Sequence, residues 1–152
     1  MSKFKTYLKA IVIPLAVGGI VGLLISGSMD YGSLEKPFFA PPSILFPIVW
    51  TILYILMGVS YGILDSNMLV DSEISSIYYS QLVVNALWPI AFFILKWRLF
   101  AFLWIILLLV LIIVMAIRFY ERNKIAGLLQ IPYILWVSFA SILNLSIYLL
   151  NR

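Results

Sequence analysis

Apolar residues fill almost the whole chain in five long runs, and the polar residues collect in the short gaps between them. The runs predict helices over roughly residues 8–26, 44–64, 74–95, 99–120 and 125–150. Each is about 20 residues long, which at 1.5 Å per residue covers a hydrocarbon core of about 30 Å. Period-two alternation, the mark of a membrane β-barrel, is absent. The expected fold is therefore all-α: one domain over residues 1–152, a bundle of five transmembrane helices with a long structured loop, residues 27–43, between the first and second. In and just after that loop, Pro37, Pro41, Pro42 and Pro47 each fix φ and hold the preceding residue out of the helical region, so the loop is expected to be rigid. Pro89 and Pro132 are each expected to disturb a helix near one end.

The first run follows Lys3, Lys5 and Lys9 and imitates a signal peptide. It is read as a retained helix, because Gly18 and Gly22 carry the small-xxx-small spacing that lets membrane helices approach closely. The fourth run is Leu, Ile and Val on every side and is expected to face lipid broadly.

Composition agrees with the pattern. The chain is 64% hydrophobic and 11% charged, against about 45–50% and 25% in soluble domains, and its mean hydropathy is +1.13. The net charge of +4 does not point to nucleic acid, because the basic residues sit at the ends of apolar runs and form no stripe on a polar face. Five spans place Lys3, Lys5, Lys9, Arg118, Arg122 and Lys124 on one side and Lys36, Lys96, Arg98 and Arg152 on the other. That bias predicts a cytoplasmic N-terminus. With no Cys and no His, the chain cannot use disulfides, thiolate or imidazole catalysis, Cys/His zinc sites or the usual ligands of haem iron. No resident cofactor and no metal site are expected.

The polar residues inside the runs carry the functional signal, since hydrocarbon penalises them unless they face protein, water or a ligand. Trp50, Tyr54, Met57 and Tyr61 fall on one face of the second helix, with Gly58 and Gly62 beside them. Gln81, Asn85, Trp88 and Phe92 make a stripe on the third. Gln130, Tyr133, Trp136, Ala140 and Asn144 make another on the fifth, with Ala140 leaving room at its middle. Packed inward, the three would line a cavity of aromatic walls and a few amides, the usual make-up of a small-molecule pocket. The alternative for each amide is a hydrogen bond between helices that merely joins them.

KPFFAPP followed by FPIVWTILYILMG, then QLVVNALWPIAFF, then IPYILWVSFASILN, resembles the TspO/MBR family, the tryptophan-rich sensory proteins related to the mitochondrial translocator protein or peripheral benzodiazepine receptor. The resemblance covers the first loop and helices two, three and five. It implies a five-helix membrane bundle, a homodimer, and a pocket for porphyrins such as protoporphyrin IX and for hydrophobic drug-like molecules. Trp50, Asn85, Trp88, Trp136 and Asn144 stand where the family's motif has the same residues, and the expected ligand-binding set is Tyr31, Pro42, Phe46, Trp50, Tyr54, Asn85, Trp88, Phe92, Trp136, Ala140 and Asn144. The chain departs from the family pattern at Asp30 and Ile44, where many members have tryptophan, and at Pro89, where serine is usual.

Three functions compete at this point. A receptor or sensor would offer Trp and Tyr faces to a flat conjugated ligand, with Lys36 available to a propionate and Phe38 and Phe39 closing the loop over the guest as a lid. An enzyme would have to use the ligand's own photochemistry with oxygen, as some bacterial members of the resembled family do in degrading porphyrins. Trp50 and Trp136, expected to face each other across the pocket, would then be the redox-active neighbours, since the carboxylates lie in loops and no nucleophile–base pair exists. A transporter would show broken helices at mid-membrane or an internal repeat, and neither is evident. The partners expected are a planar hydrophobic small molecule, the lipid bilayer of a bacterial cell and a second copy of the chain, with no nucleic acid. Leu143, Tyr148 and Arg152 fit a loose sterol pattern, from which only weak sterol binding is expected.

Overall fold

The computed structural model describes residues 2–152, and helices account for nearly all of them. Ser2 caps α1 (Lys3–Ile25) by accepting from the Lys5 amide. After the loop come α2 (Leu45–Ser66) and α3 (Ser72–Pro89), the latter capped by the Asp71 carboxylate, which accepts from the Ile74 amide at 3.0 Å. That bond, helped by the Arg122 guanidinium, holds the Asp71 carboxyl below the usual carboxylate range. The remaining helices are α4 (Arg98–Arg122), the short α5 (Lys124–Leu128) and α6 (Ile131–Asn151). Five segments are long and apolar enough to cross a membrane, as the hydropathy pattern predicts, and no strand occurs among the described residues.

Both expected proline disturbances are present. Pro132 has no N–H to give the Leu128 carbonyl, so the helix predicted as one piece over 125–150 divides at Leu129–Gln130 into α5 and α6. Pro89 ends α3, and a π-helical turn, Ile90–Ile94, follows it with the Leu95 amide on the Ile90 carbonyl. The wider turn swings Phe92 and Phe93 inward, where both are buried.

Packing corrects the expectation for the fourth helix. Ala101, Ile105, Leu108, Ile112, Met115 and Phe119 form a stripe on α4 that is at most 1% exposed. This helix packs against α3, α5 and α6, so only its other faces meet lipid. A uniformly apolar helix carries no pattern from which to read its buried side; neighbours choose it. The peripheral helix is α1, which buries only Thr6, Ala10, Pro14 and Ile25. It lies along α2, and α2, α5, α4 and α3 complete the ring. Gly58 and Gly62 make the α1–α2 approach possible. A Cβ on Gly58 would stand 2.5 Å from the Ile11 Cα, and one on Gly62 would strike the Tyr7 ring.

The two ends of the bundle differ. At the end that holds the N-terminus, Tyr61 stacks on Tyr78 with centroids 4.4 Å apart, and Leu64, Ile74 and Phe119 are wholly buried. Ser60 donates to the Ala126 carbonyl and accepts from Gln130, tying α2 to α5. Arg118 with Glu73 and Glu121, and Arg122 with Asp71, ring that end with ion pairs. The end beneath the long loop is not filled.

Candidate functional site

The second halves of α1, α3 and α6 and the first half of α2 converge under the 27–43 loop around a cavity of about 440 Å³, within the 300–1,000 Å³ range of small-molecule sites. Its walls are mostly aromatic. Trp50 and Tyr54 come from α2, Asn85 and Trp88 from α3, Phe92 and Phe93 from the π-helical turn, Ala140 and Asn144 from α6, and Phe46 and Tyr31 close the top. Nine of the eleven residues in the predicted ligand-binding set line it: Tyr31, Phe46, Trp50, Tyr54, Asn85, Trp88, Phe92, Ala140 and Asn144.

Pro42 and Trp136 do not. Trp136 lies behind Trp50, with centroids 6.5 Å apart and planes at 88°, and packs on Phe46 and Phe139. Its outer side borders a shallow apolar groove with Pro41, Leu45, Val49 and Leu135. The two tryptophans are therefore in edge-to-face contact and leave no ligand-wide gap, a correction to the facing arrangement the stripes suggested. The register of one helix fixes a face only to within a side chain's width, and α6 is rotated enough to turn Trp136 out and Ala140 in.

Each polar stripe is divided between two uses. On the closed side, Tyr61 stacks on Tyr78, and Gln81 lies against the Met57 sulfur at 3.4 Å. From the cavity wall toward the closed side, Tyr54 donates to Asn85 Oδ1 at 2.8 Å, Asn85 Nδ2 donates to the Tyr133 hydroxyl at 2.7 Å, and Tyr133 donates on to Gln81 Oε1 at 2.8 Å. Trp88 Nε1 donates to Asn144 Oδ1 at 2.9 Å, and Asn144 Nδ2 to the Arg98 carbonyl at 2.9 Å. Asn85 and Asn144 thus border the cavity and also join the helices, so the two readings coexist in them, whereas Gln81 and Gln130 lie outside the lining and only join helices. No side chain that lines the cavity carries a charge.

The loop is tied down above the cavity. Tyr31 is 6% exposed, lies edge-on to Phe46 and donates to the Pro41 carbonyl at 2.6 Å. Burial raises its phenol pKa. Lys36 spends its ammonium on the Tyr31 and Leu34 carbonyls and over the Tyr31 ring, which removes it as a ready partner for a propionate. Phe38 is fully exposed and Phe39 packs on Phe139, and neither lines the cavity. Asp30, one of the departures from the family pattern, pairs with Arg98 at 2.6 Å.

The sequence stripes missed the contribution of α1. Leu15, Gly18, Gly19, Val21, Gly22 and Ile25 form one side of the cavity. Gly18 and Gly22 were the available signal, and of these Gly18 seats the Tyr54 ring while Gly22 borders open space. Leu143 also turns into the cavity, so it does not share a lipid-facing strip with Tyr148 and Arg152.

A sequence profile for the TspO/MBR family matches residues 10–150. The tryptophan-rich protein TspO of Archaeoglobus fulgidus is 39% identical over 145 residues, covering 93% of this chain and 94% of that protein. A tryptophan-rich sensory protein of Cereibacter sphaeroides is 30% identical over 149 residues, 97% of this chain and 90% of its own length. The translocator protein of Sus scrofa is 28% identical over 144 residues, 90% and 85%.

Proposed function

Because this chain belongs to the TspO/MBR family and is an integral membrane protein, we propose that it is a receptor that takes a flat, hydrophobic, conjugated ligand of the porphyrin class into the cavity beneath the loop. The observation that carries this reading is the wall itself. It presents the rings of Tyr31, Phe46, Trp50, Tyr54, Trp88 and Phe92 around about 440 Å³, and its amides already have partners in the Tyr54 and Tyr133 hydroxyls, the Trp88 indole and the Arg98 carbonyl. A ligand that asks for many hydrogen bonds would find few free, whereas one that offers π-faces gains about 0.5–1.5 kcal/mol per well-placed aromatic pair beyond burial. With no cation in the lining, porphyrin carboxylates would be left at the membrane–water interface near Met29 and Ser43. The names of the relatives speak of sensing and of translocation. For this chain, binding is the step common to both.

The test is titration of the protein in lipid vesicles with protoporphyrin IX, read by porphyrin absorbance and tryptophan fluorescence. Saturable binding of one porphyrin per chain with quenching of Trp50 and Trp88 is expected; partition that rises linearly with lipid and never saturates would end the proposal. Repeating the titration under light, with and without oxygen, separates a receptor from a protein that also consumes its ligand. Oxygen-dependent loss of porphyrin to one defined product would establish turnover.

A further inference from the structure

The exposed part of the cavity's lining lies on one side, along α1, the start of α2 and the edge of the loop. The residues that both line it and are exposed mark its mouth: Gly19 and Gly22 on α1, Pro47 and Thr51 on α2, with Met29 and Ser43 at the upper edge. The backbones of α1 and α2 meet at Gly58 and Ile11, and Gly18 seats the Tyr54 ring, whereas a Cβ on Gly19 or on Gly22 would meet nothing within 4 Å. Four of the mouth residues lie inside the membrane-spanning segments Lys3–Ile25 and Leu45–Ser66.

The route from water is fastened at three points. Arg98, whose side chain is 12% exposed, donates to Asp30 Oδ2 at 2.6 Å, a charge-assisted bond in surroundings that weaken it little. Asn151 at the end of α6 accepts from the Glu35 amide at 3.0 Å and donates to the Glu35 carbonyl at 2.8 Å. Tyr31 is pinned to Pro41 from one side and by Lys36 from the other. Prolines between these ties restrict the conformations available if one of them lets go.

We propose that the cavity is loaded sideways: a planar ligand dissolved in the bilayer slides between α1 and α2 across the bare backbone of Gly19 and Gly22, while the 27–43 loop stays shut as a fixed roof. Glycine at these two positions is what keeps the passage wide, since any larger side chain there projects into it. The ligand class is one that partitions into membrane before it binds. The porphyrin reading is needed for the ligand's identity only; the geometry of the passage stands apart from it.

The experiment uses a thiol reporter in a chain that has no cysteine of its own. Ala140→Cys places the thiol in the cavity wall, with Leu143→Cys as a second reporter should the first not fold. In phosphatidylcholine vesicles, pyrenyl maleimide dissolved in the lipid should label it, and a cationic methanethiosulfonate confined to water should not. Adding Gly19→Phe or Gly22→Phe, at positions where an added Cβ meets nothing within 4 Å, should slow pyrenyl labelling by about tenfold or more. Locking the roof with a disulfide between Glu35→Cys and Asn151→Cys, closed before labelling, should leave the rate within about twofold. The proposal is overturned if the locked roof slows labelling and the phenylalanines do not, or if the cationic reagent labels as fast as the lipid-dissolved one. Protoporphyrin IX association measured on the same variants should follow the same order. Failure of porphyrin to bind with the labelling order intact would remove the ligand assignment and leave the lateral passage standing.

Discussion

Two tryptophans that look equivalent along the chain sit in different places. Trp50 forms cavity wall, and Trp136 supports it from behind. Replacing either with Phe keeps an aromatic ring of smaller volume and should cost about 1 kcal/mol of stability. Their effects on ligand should separate. Trp50→Phe is expected to weaken protoporphyrin IX binding by up to about tenfold, or 1.4 kcal/mol, because one of the two indole faces in the wall is trimmed. Trp136→Phe is expected to leave affinity within about twofold, since nothing that touches the ligand is removed. Isothermal or fluorescence titration of both variants checks this, and a larger loss from Trp136→Phe would contradict the placement. The Trp136 indole N–H is buried without a partner, so its replacement also removes an unsatisfied donor and recovers part of the packing cost.

Among the elements, α1 and α2 form the pair on which the site depends. Gly58→Ala would put a methyl 2.5 Å from the Ile11 Cα and 2.7 Å from the Ala10 carbonyl oxygen, and backbone cannot step aside as a side chain can. The variant is expected to push α1 away and lose about 1–3 kcal/mol. Gly19→Ala, on the same helix pair but at the mouth, should be neutral within about 0.5 kcal/mol. Unfolding of both in mixed micelles measures the contrast; equal losses would mean that the close approach at Gly58 does not hold the pair. The α4 result teaches the complementary lesson. Its buried stripe is as regular as any in the bundle, yet the sequence hides it, because the exposed faces of α4 are as apolar as the buried one. In water the polar face of a helix reports its orientation, and in lipid that report is lost.

For the whole molecule the division into a filled end and a hollow end has a dynamic consequence. Interlocked aromatics, wholly buried aliphatics and several ion pairs hold the N-terminal end, whereas around the cavity the helices forgo dispersion contacts on one side. Amide hydrogen exchange in lipid vesicles should therefore be slowest in the closed halves of α2, α3 and α4 and fastest along α1 from residue 15 to residue 25. A saturating ligand should slow the second group more than the first. Uniform exchange along α1 and α4 would argue against this division.

The sequence by itself determined the membrane class, the five spans, the two proline breaks and most of the cavity's aromatic lining. Each depends on a property that survives without a partner: the length of an apolar run, the missing N–H of proline, the three- and four-residue spacing of polar aromatics. Tertiary structure alone decided which side of α4 is buried, that α1 supplies a wall, that Trp136 backs Trp50, and that Lys36 and Asp30 fasten the loop. Those outcomes depend on how far each helix rotates and where two backbones come within van der Waals reach. One chain's periodicity leaves both open by tens of degrees and several ångströms, about the size of a side chain.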